Sequence, residues 1–259
     1  MATPDDHVLA ARVAEKAGSL LLEVRAREGA GEAGEVGAEG DRRSHELIIL
    51  TLREQRPEDA VLSEEGTPTQ SGGPVGDGPD GGHDLSARIW IVDPLDGTRE
   101  FSEGRADFAV HVALVEKGIP TAGAVALPAE DLVLATADPP VLPPRSHARL
   151  RILVSRTRPP SEATAVAARL DAELVPMGSA GAKAMAVVRG EGDIYLHSGG
   201  QYEWDSAAPV AVARAAGVHA SRLDGSDLVY NQPDPWLPDL LICRPELVTT
   251  VLSALRDGP

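Results

Sequence analysis

The first apolar positions recur at helical spacing. Val8, Leu9, Val13, Leu20, Leu21 and Val24 predict an amphipathic helix over residues 5–27, with Asp5 as its cap. Residues 29–40 are rich in Gly and Glu and read as a break. A second helical pattern, opened by Asp41, runs through Leu47, Ile48 and Leu52 and stops at Pro57. Residues 60–63 read as a short strand ending in Glu64-Glu65, and residues 66–87, rich in Gly, Pro, Ser and Asp, as a mobile surface loop. The run Arg88-Ile89-Trp90-Ile91-Val92 shows no polar alternation, as expected of a strand covered on both faces, and it delivers Asp93 at its C-terminal end. Residues 107–115, 121–127 and 131–136, turning at Lys117-Gly118-Ile119-Pro120, read as an antiparallel meander.

A Pro-rich segment, residues 139–144, divides the chain, and beyond it strands and helices alternate. Strands are expected at 150–155, 173–177 and 193–197, and helices at 161–170, 180–189 and 205–216, the pattern of an α/β layer. With 259 residues, 42% of them hydrophobic, the chain can bury a sizeable core. One catalytic unit over 1–259 is expected, made of an α+β half at 1–145 that carries the metal site and an α/β half at 146–259 that supplies substrate contacts. The N-terminal residues hold no basic patch, and no stretch approaches the roughly 18 consecutive apolar residues of a membrane span, so a soluble cytoplasmic protein is expected, with no membrane partner. A net charge of −16 argues against a nucleic-acid polymer as partner, but a small anion remains acceptable where divalent metal neutralises the site. The single Cys243 can build neither a disulfide nor a thiolate cluster and reads as a small buried hydrophobe. Oxygen or imidazole must therefore hold any metal.

Asp93-Pro94-Leu95-Asp96-Gly97-Thr98 is where carboxylates keep special company. Pro94 fixes φ and Gly97 permits close backbone approach, so one turn can bring Asp93, Asp96 and the Leu95 carbonyl toward a point. Hard divalent cations, Mg²⁺ in particular, want such oxygen clusters, and exposed amides at Gly97 and Thr98 suit phosphate.

Residues 90–98, Trp-Ile-Val-Asp-Pro-Leu-Asp-Gly-Thr, resemble the first signature of the lithium-sensitive, inositol-monophosphatase-like phosphatases. Glu203-Trp204-Asp205-Ser206-Ala207-Ala208-Pro209 is similar to the family's second signature, and Ser63-Glu64-Glu65 to its acidic pair. Arg99-Glu100-Phe101 after the Asp-Gly-Thr triplet resembles the CysQ-type 3′(2′),5′-bisphosphate nucleotidase branch, as do Ser155-Arg156, residues 178–183 and residues 193–197. The resemblance implies a sugar-phosphatase fold layered α-β-α-β-α. It also implies a phosphomonoesterase using two or three Mg²⁺ ions and water rather than a covalent phosphoenzyme.

By the same resemblance Asp93 bridges two ions, Glu64 and the Leu95 carbonyl complete the first, and Asp96 and Asp205 complete the second. The choice of Glu64 over Glu65 rests on family position, and Asp205 can equally cap the helix that follows it. Thr98 would position or activate a metal-bound water, with Asp41 accepting a hydrogen bond from the Thr98 hydroxyl, a role compatible with Asp41 capping a helix. Gly97 and Ser179 would meet substrate phosphate. Lys183, Arg156 and His197 would meet the remote 5′-phosphate, His197 standing where some relatives carry Arg. The implied reaction is hydrolysis of 3′-phosphoadenosine 5′-phosphate to AMP and phosphate, clearing a by-product of sulfate assimilation. Inositol-1-phosphate and fructose-1,6-bisphosphate are alternative small-molecule esters, and a non-catalytic metal- or nucleotide-binding regulator is the reading from another class. A homodimer is compatible with the sequence.

Overall fold

The computed structural model describes residues 1–28, 33–66 and 87–256. Its elements are α1 (Pro4–Glu28), α2 (Ala33–Gln55), β1 (Ala60–Ser63), β2 (Arg88–Asp96), α3 (Thr98–Ser102), β3 (Ala109–Glu116), β4 (Ile119–Leu127) and β5 (Leu132–Ala135) in the first half. The second half holds β6 (Arg151–Ser155), α4 (Ser161–Leu170), β7 (Glu173–Met177), α5 (Ala180–Val188), β8 (Ile194–Tyr202), α6 (Glu203–Ala215), β9 (His219–Ser221), β10 (Trp236–Cys243) and α7 (Val248–Arg256). Two five-stranded sheets result, ordered β1-β2-β3-β4-β5 and β7-β6-β8-β10-β9.

Three cores set the layering. Trp90, Val92, Val110 and Val112 on one face of the first sheet pack with Leu9, Val13, Leu21 and Ile48 of α1 and α2. Ile89, Ile91, Ala113 and Val115 on its other face meet Met185 and Val187 of α5 and Val210 and Val212 of α6, which also cover Tyr195, Leu240 and Ile242 of the second sheet. The far face of that sheet, with Ile152, Val154, Leu241 and Cys243, is closed by α4 and α7. The order is α-β-α-β-α. Alternate residues of β2 thus enter two cores, which is why its sequence is apolar without a break. Among the described residues no helix is long and apolar enough to cross a membrane.

Two sequence expectations need correction. The first helix is capped by a reciprocal pair and not by Asp5: Thr3 Oγ1 accepts from the Asp6 amide at 3.3 Å, and Asp6 Oδ2 accepts from the Thr3 amide at 2.8 Å. The second helix begins at Ala33, so Asp41 lies well inside it and caps nothing. Its glycines, read as a break, serve contact: a Cβ at Gly40 would lie 2.9 Å from Phe101 Cε1, and one at Gly37 would lie 3.0 Å from Thr98 Cγ2. Small residues there let α2 lie directly on α3. The loop expected at 66–87 falls, from 67 to 86, outside the described residues.

Candidate active site

A regular strand would send Asp93 and Asp96, three residues apart, to opposite faces. β2 avoids this with a bulge. Asp93 pairs with His111 and Asp96 with Ala109, so three steps on β2 match two on β3. The extra residue turns both carboxylates to one side. Asp93 Oδ1 accepts from the Leu95 amide at 3.0 Å, fixing the turn. Asp205, in the first turn of α6, brings a third carboxylate, its Oδ2 accepting from the Tyr202 amide at 2.6 Å. It therefore ties down its helix entry while facing the site. One carboxylate oxygen from each of Asp93, Asp96 and Asp205 lies within 4.8 Å of the other two.

One face of α2 fastens this turn, through residues spaced i, i+3 and i+4. Asp41 neighbours Thr98, whose hydroxyl donates to the Leu95 carbonyl at 3.1 Å. Ser44 donates to the Pro94 carbonyl at 2.7 Å, and His45 Nδ1 lies 2.9 Å from Ser63 Oγ at the end of β1. Beyond Ser63 the acidic pair divides. Glu64 interacts with Asp93 and feels Asp205 and Asp96, whereas Glu65 interacts with Asp41. Gly97, between β2 and α3, has φ 89° in the left-handed region, which suits glycine.

The charges are crowded. Burial first, then the like charges of Asp96, Glu64 and Asp205, pushes Asp93 well above the usual carboxylate range. Asp205 is pushed up to about 6 by burial and Asp96. Asp41 is pushed up to about 8 by burial and then by Glu65 and Glu64. Burial also raises Glu64, ahead of the like charges of Asp205 and Asp96. Asp96 goes the other way. Burial would raise it, but His111, Lys183 and Ser179 hold it below the usual range. Asp41 Oδ1 is buried without a hydrogen-bond partner among the described residues. Crowded carboxylate oxygens that repel one another suit hard divalent cations.

Beside this acidic end opens a cleft of about 800 Å³, lined among others by Asp96, Gly97, Ser179, Arg156, Lys183, His197 and Arg158. Ser179 caps α5, accepting from the Ala182 amide at 2.9 Å, and donates to Asp96 Oδ2. The expected basic groups are largely engaged within the protein. Lys183 is buried, and its Nζ donates to the carbonyls of Met177, Gly178 and Ser179, with burial lowering its pKa. Arg156 Nε donates to Glu100 at 2.6 Å and also meets Glu103. His197 Nε2 lies 2.9 Å from the Gly200 carbonyl; burial, then Lys183 and Arg158, hold its pKa down, so it is neutral near pH 7. Arg99 is tied to Glu103. Arg158 is the cation of this cleft whose side chain has no bonded partner among the described residues.

Residues 5–256 match the inositol monophosphatase family. The chain belongs to that family. It is 49% identical over 260 residues to a 3′-phosphoadenosine 5′-phosphate phosphatase of Mycobacterium bovis, covering 93% of this chain and 90% of the relative. It is 32% identical over 209 residues to the Escherichia coli 3′(2′),5′-bisphosphate nucleotidase CysQ, covering 75% and 79%. Among solved structures it resembles CysQ from Bacteroides thetaiotaomicron, described as a bacterial member of the inositol monophosphatase family, with a TM-score of 0.76 and 25% identity over 93% and 97% of the two chains. The family is metal-dependent, and this member's acidic cluster is able to hold a metal ion.

Sequence reasoning missed His111 in this family member. It is fully buried on β3, its Nδ1 lies 3.0 Å from the Trp204 carbonyl, and its Nε2 lies 3.2 Å from Asp96 Oδ2. Burial would lower its pKa, but Asp96 raises it overall, so the imidazole neutralises part of the carboxylate cluster from behind. A Cβ at residue 181 would stand 2.1 Å from that Nε2, so Gly181 is what admits the ring. A histidine inside an apolar strand was the available signal. Ser44 and His45 carried none, because their partners are distant in sequence, and Arg158 carried none, because only the fold shows which cations are left unpaired among the described residues.

Proposed function

We propose that the chain is a Mg²⁺-dependent phosphomonoesterase that hydrolyses the 3′-phosphate of 3′-phosphoadenosine 5′-phosphate, giving AMP and phosphate. The observation that carries this reading is one cleft with crowded, buried carboxylates at one end and, on its wall, a guanidinium unpaired among the described residues. A substrate with two phosphates needs both. The 49% identity to a phosphatase of that name supports the same reading.

Asp93, Asp96, Asp205, Glu64 and the Leu95 carbonyl would hold the ions. When bound, such ions supply charge for the phosphoryl oxygens and acidify water. The chain's own residues do the rest. Gly97 and Ser179 flank the ester phosphate. Thr98 orients the attacking water, and the ionised Asp41 beside the Thr98 hydroxyl accepts the water's proton through that hydroxyl. Water oxygen bonds to phosphorus, the P–O3′ bond breaks, and the departing ribose oxygen takes a proton from solvent. We assign the remote 5′-phosphate to Arg158. Lys183 acts as the strut of the 177–179 turn, and Arg156 holds Glu100 and Glu103 on the cleft wall.

The deciding experiment is a parallel measurement of phosphate release from 3′-phosphoadenosine 5′-phosphate, inositol-1-phosphate and fructose-1,6-bisphosphate, with Mg²⁺ and with chelator. The expected outcome is highest kcat/KM on the nucleotide and no turnover in chelator. Preference for the inositol ester would overturn the nucleotide assignment while leaving the metal site standing.

A further inference from the structure

We infer that Trp236 is the platform on which the nucleobase of the substrate stacks. The inference rests on the nucleotide reading above and extends it to the part of the molecule that bears no phosphate.

Large aromatic side chains are normally covered, yet 49% of Trp236 is exposed, and it lines the same cleft as the carboxylates and Arg158. Its placement is built in. Trp236 opens β10 directly opposite Tyr202 at the end of β8, and its amide donates to Asp234 Oδ1 at 3.1 Å, which fixes the entry turn. Its indole lies against the backbone of Gly200. A Cβ there would fall 2.6 Å from Nε1 and 3.1 Å from Cε2, and Gly200 has φ 95°, so only glycine gives the ring this seat. One side of the indole is thereby held against the strand while half the side chain stays open. The neighbouring Tyr202 is already committed, stacked on Trp204 with centroids 4.8 Å apart and rings 10° from parallel. Trp236 is thus a held aromatic surface with no ring partner among the described residues, in a cleft already furnished for phosphate at one end. Purine is the chemistry that fits it, because a flat π-system gains from stacking regardless of which edge groups it carries.

The test uses the Mg²⁺-loaded enzyme and the variants Trp236→Ala and Trp236→Phe. Trp236→Ala should raise KM for 3′-phosphoadenosine 5′-phosphate roughly 5- to 150-fold, the range of one lost base–aromatic stack, with a far smaller change in kcat. Trp236→Phe, which keeps a ring, should recover most of the loss. Inhibition by inorganic phosphate, which has no base, should keep its constant within about twofold in both variants, whereas inhibition by AMP should weaken in Trp236→Ala in step with KM. AMP should also quench the tryptophan emission of the wild type and lose that quench in Trp236→Phe. Equal weakening of AMP and inorganic phosphate would make Trp236 part of the scaffold and overturn the inference, as would unchanged KM and unchanged quenching. A wild type that binds AMP while Trp236→Ala is indifferent removes this inference alone. A wild type that neither hydrolyses the nucleotide nor binds AMP removes the reading beneath it as well.

Discussion

At the scale of single residues, what a charged group can do is decided by what it is already doing. Lys183 resembles a phosphate ligand in the sequence, but a buried ammonium must satisfy its donors, and three turn carbonyls take them. Arg158 sits two residues beyond Arg156 and differs only in having no carboxylate within reach among the described residues. Replacing Arg158 by Ala should therefore lower kcat/KM for 3′-phosphoadenosine 5′-phosphate by roughly 10- to 150-fold, a charge-assisted contact. Adenosine 3′-monophosphate, which has no second phosphate, should lose far less. Steady-state kinetics on both substrates check this, and equal losses would return Arg158 to the scaffold.

At the scale of elements, the site depends on how closely α2 approaches α3, since Asp41, Ser44 and His45 act across that contact. Two glycines of α2 separate propensity from packing. A methyl group added at Gly34 would meet nothing within 4 Å among the described residues, so Gly34→Ala should gain the helix propensity of alanine, about 0.5 kcal/mol. Gly40→Ala gains the same propensity but presses on Phe101 at 2.9 Å and Leu21 at 3.3 Å, and should lose about 1–2 kcal/mol net. Denaturant titration of both variants compares the two. A stabilised Gly40→Ala would mean that the α2–α3 contact can yield without cost. The bulge in β2 makes the same point differently: one extra residue in a ladder reverses the face of everything beyond it.

At the scale of the whole molecule, the active site is a source of instability that metal relieves. Asp205 and Asp41 keep protons up to about 6 and about 8, while in the unfolded chain carboxylates release theirs near pH 4. Between those limits the native state binds more protons than the unfolded state, so stability without divalent metal must fall as pH rises from about 4 to about 8. Asp6 works in the opposite sense. Burial would raise its pKa, but Thr3, Arg56 and Arg88 hold it at about 2, so its contribution is complete above pH 4 and is lost only as pH falls toward 2. Thermal unfolding in chelator should accordingly show Tm declining by several degrees from pH 5 to pH 8, and saturating Mg²⁺ should remove that decline. Mg²⁺ binding near pH 6.5 should release protons, visible as a buffer-dependent heat in calorimetry. A chelator-treated protein whose Tm is flat across this range would contradict the crowding of carboxylates described here.

The sequence by itself determined the elements whose pattern is local. The helix at 161–170 and the strand at 173–177 stand at their expected bounds, and the apolar run of β2 announced its two covered faces. It also determined the chemistry of Asp93-Pro94-Leu95-Asp96-Gly97-Thr98, because residue types and short spacing already confine what such a turn can hold. Only the tertiary structure decided the rest. Glycine-rich residues 33–40 became helix because α3 lies against them, an interaction that no local propensity contains. Asp41 moved from helix start to helix interior for the same reason. His111, marked in the sequence only as one polar residue in an apolar strand, acquired its role from Asp96 across the sheet and from Gly181 in another layer. Whether an arginine remains available to substrate depended on partners tens of residues away, as for Arg156 with Glu100 and Glu103, while Lys183 was taken up by nearby carbonyls that the folded 177–179 segment turns toward it. Local patterns fix backbone preference and donor chemistry, while the allocation of each buried charge is a property of the packed whole.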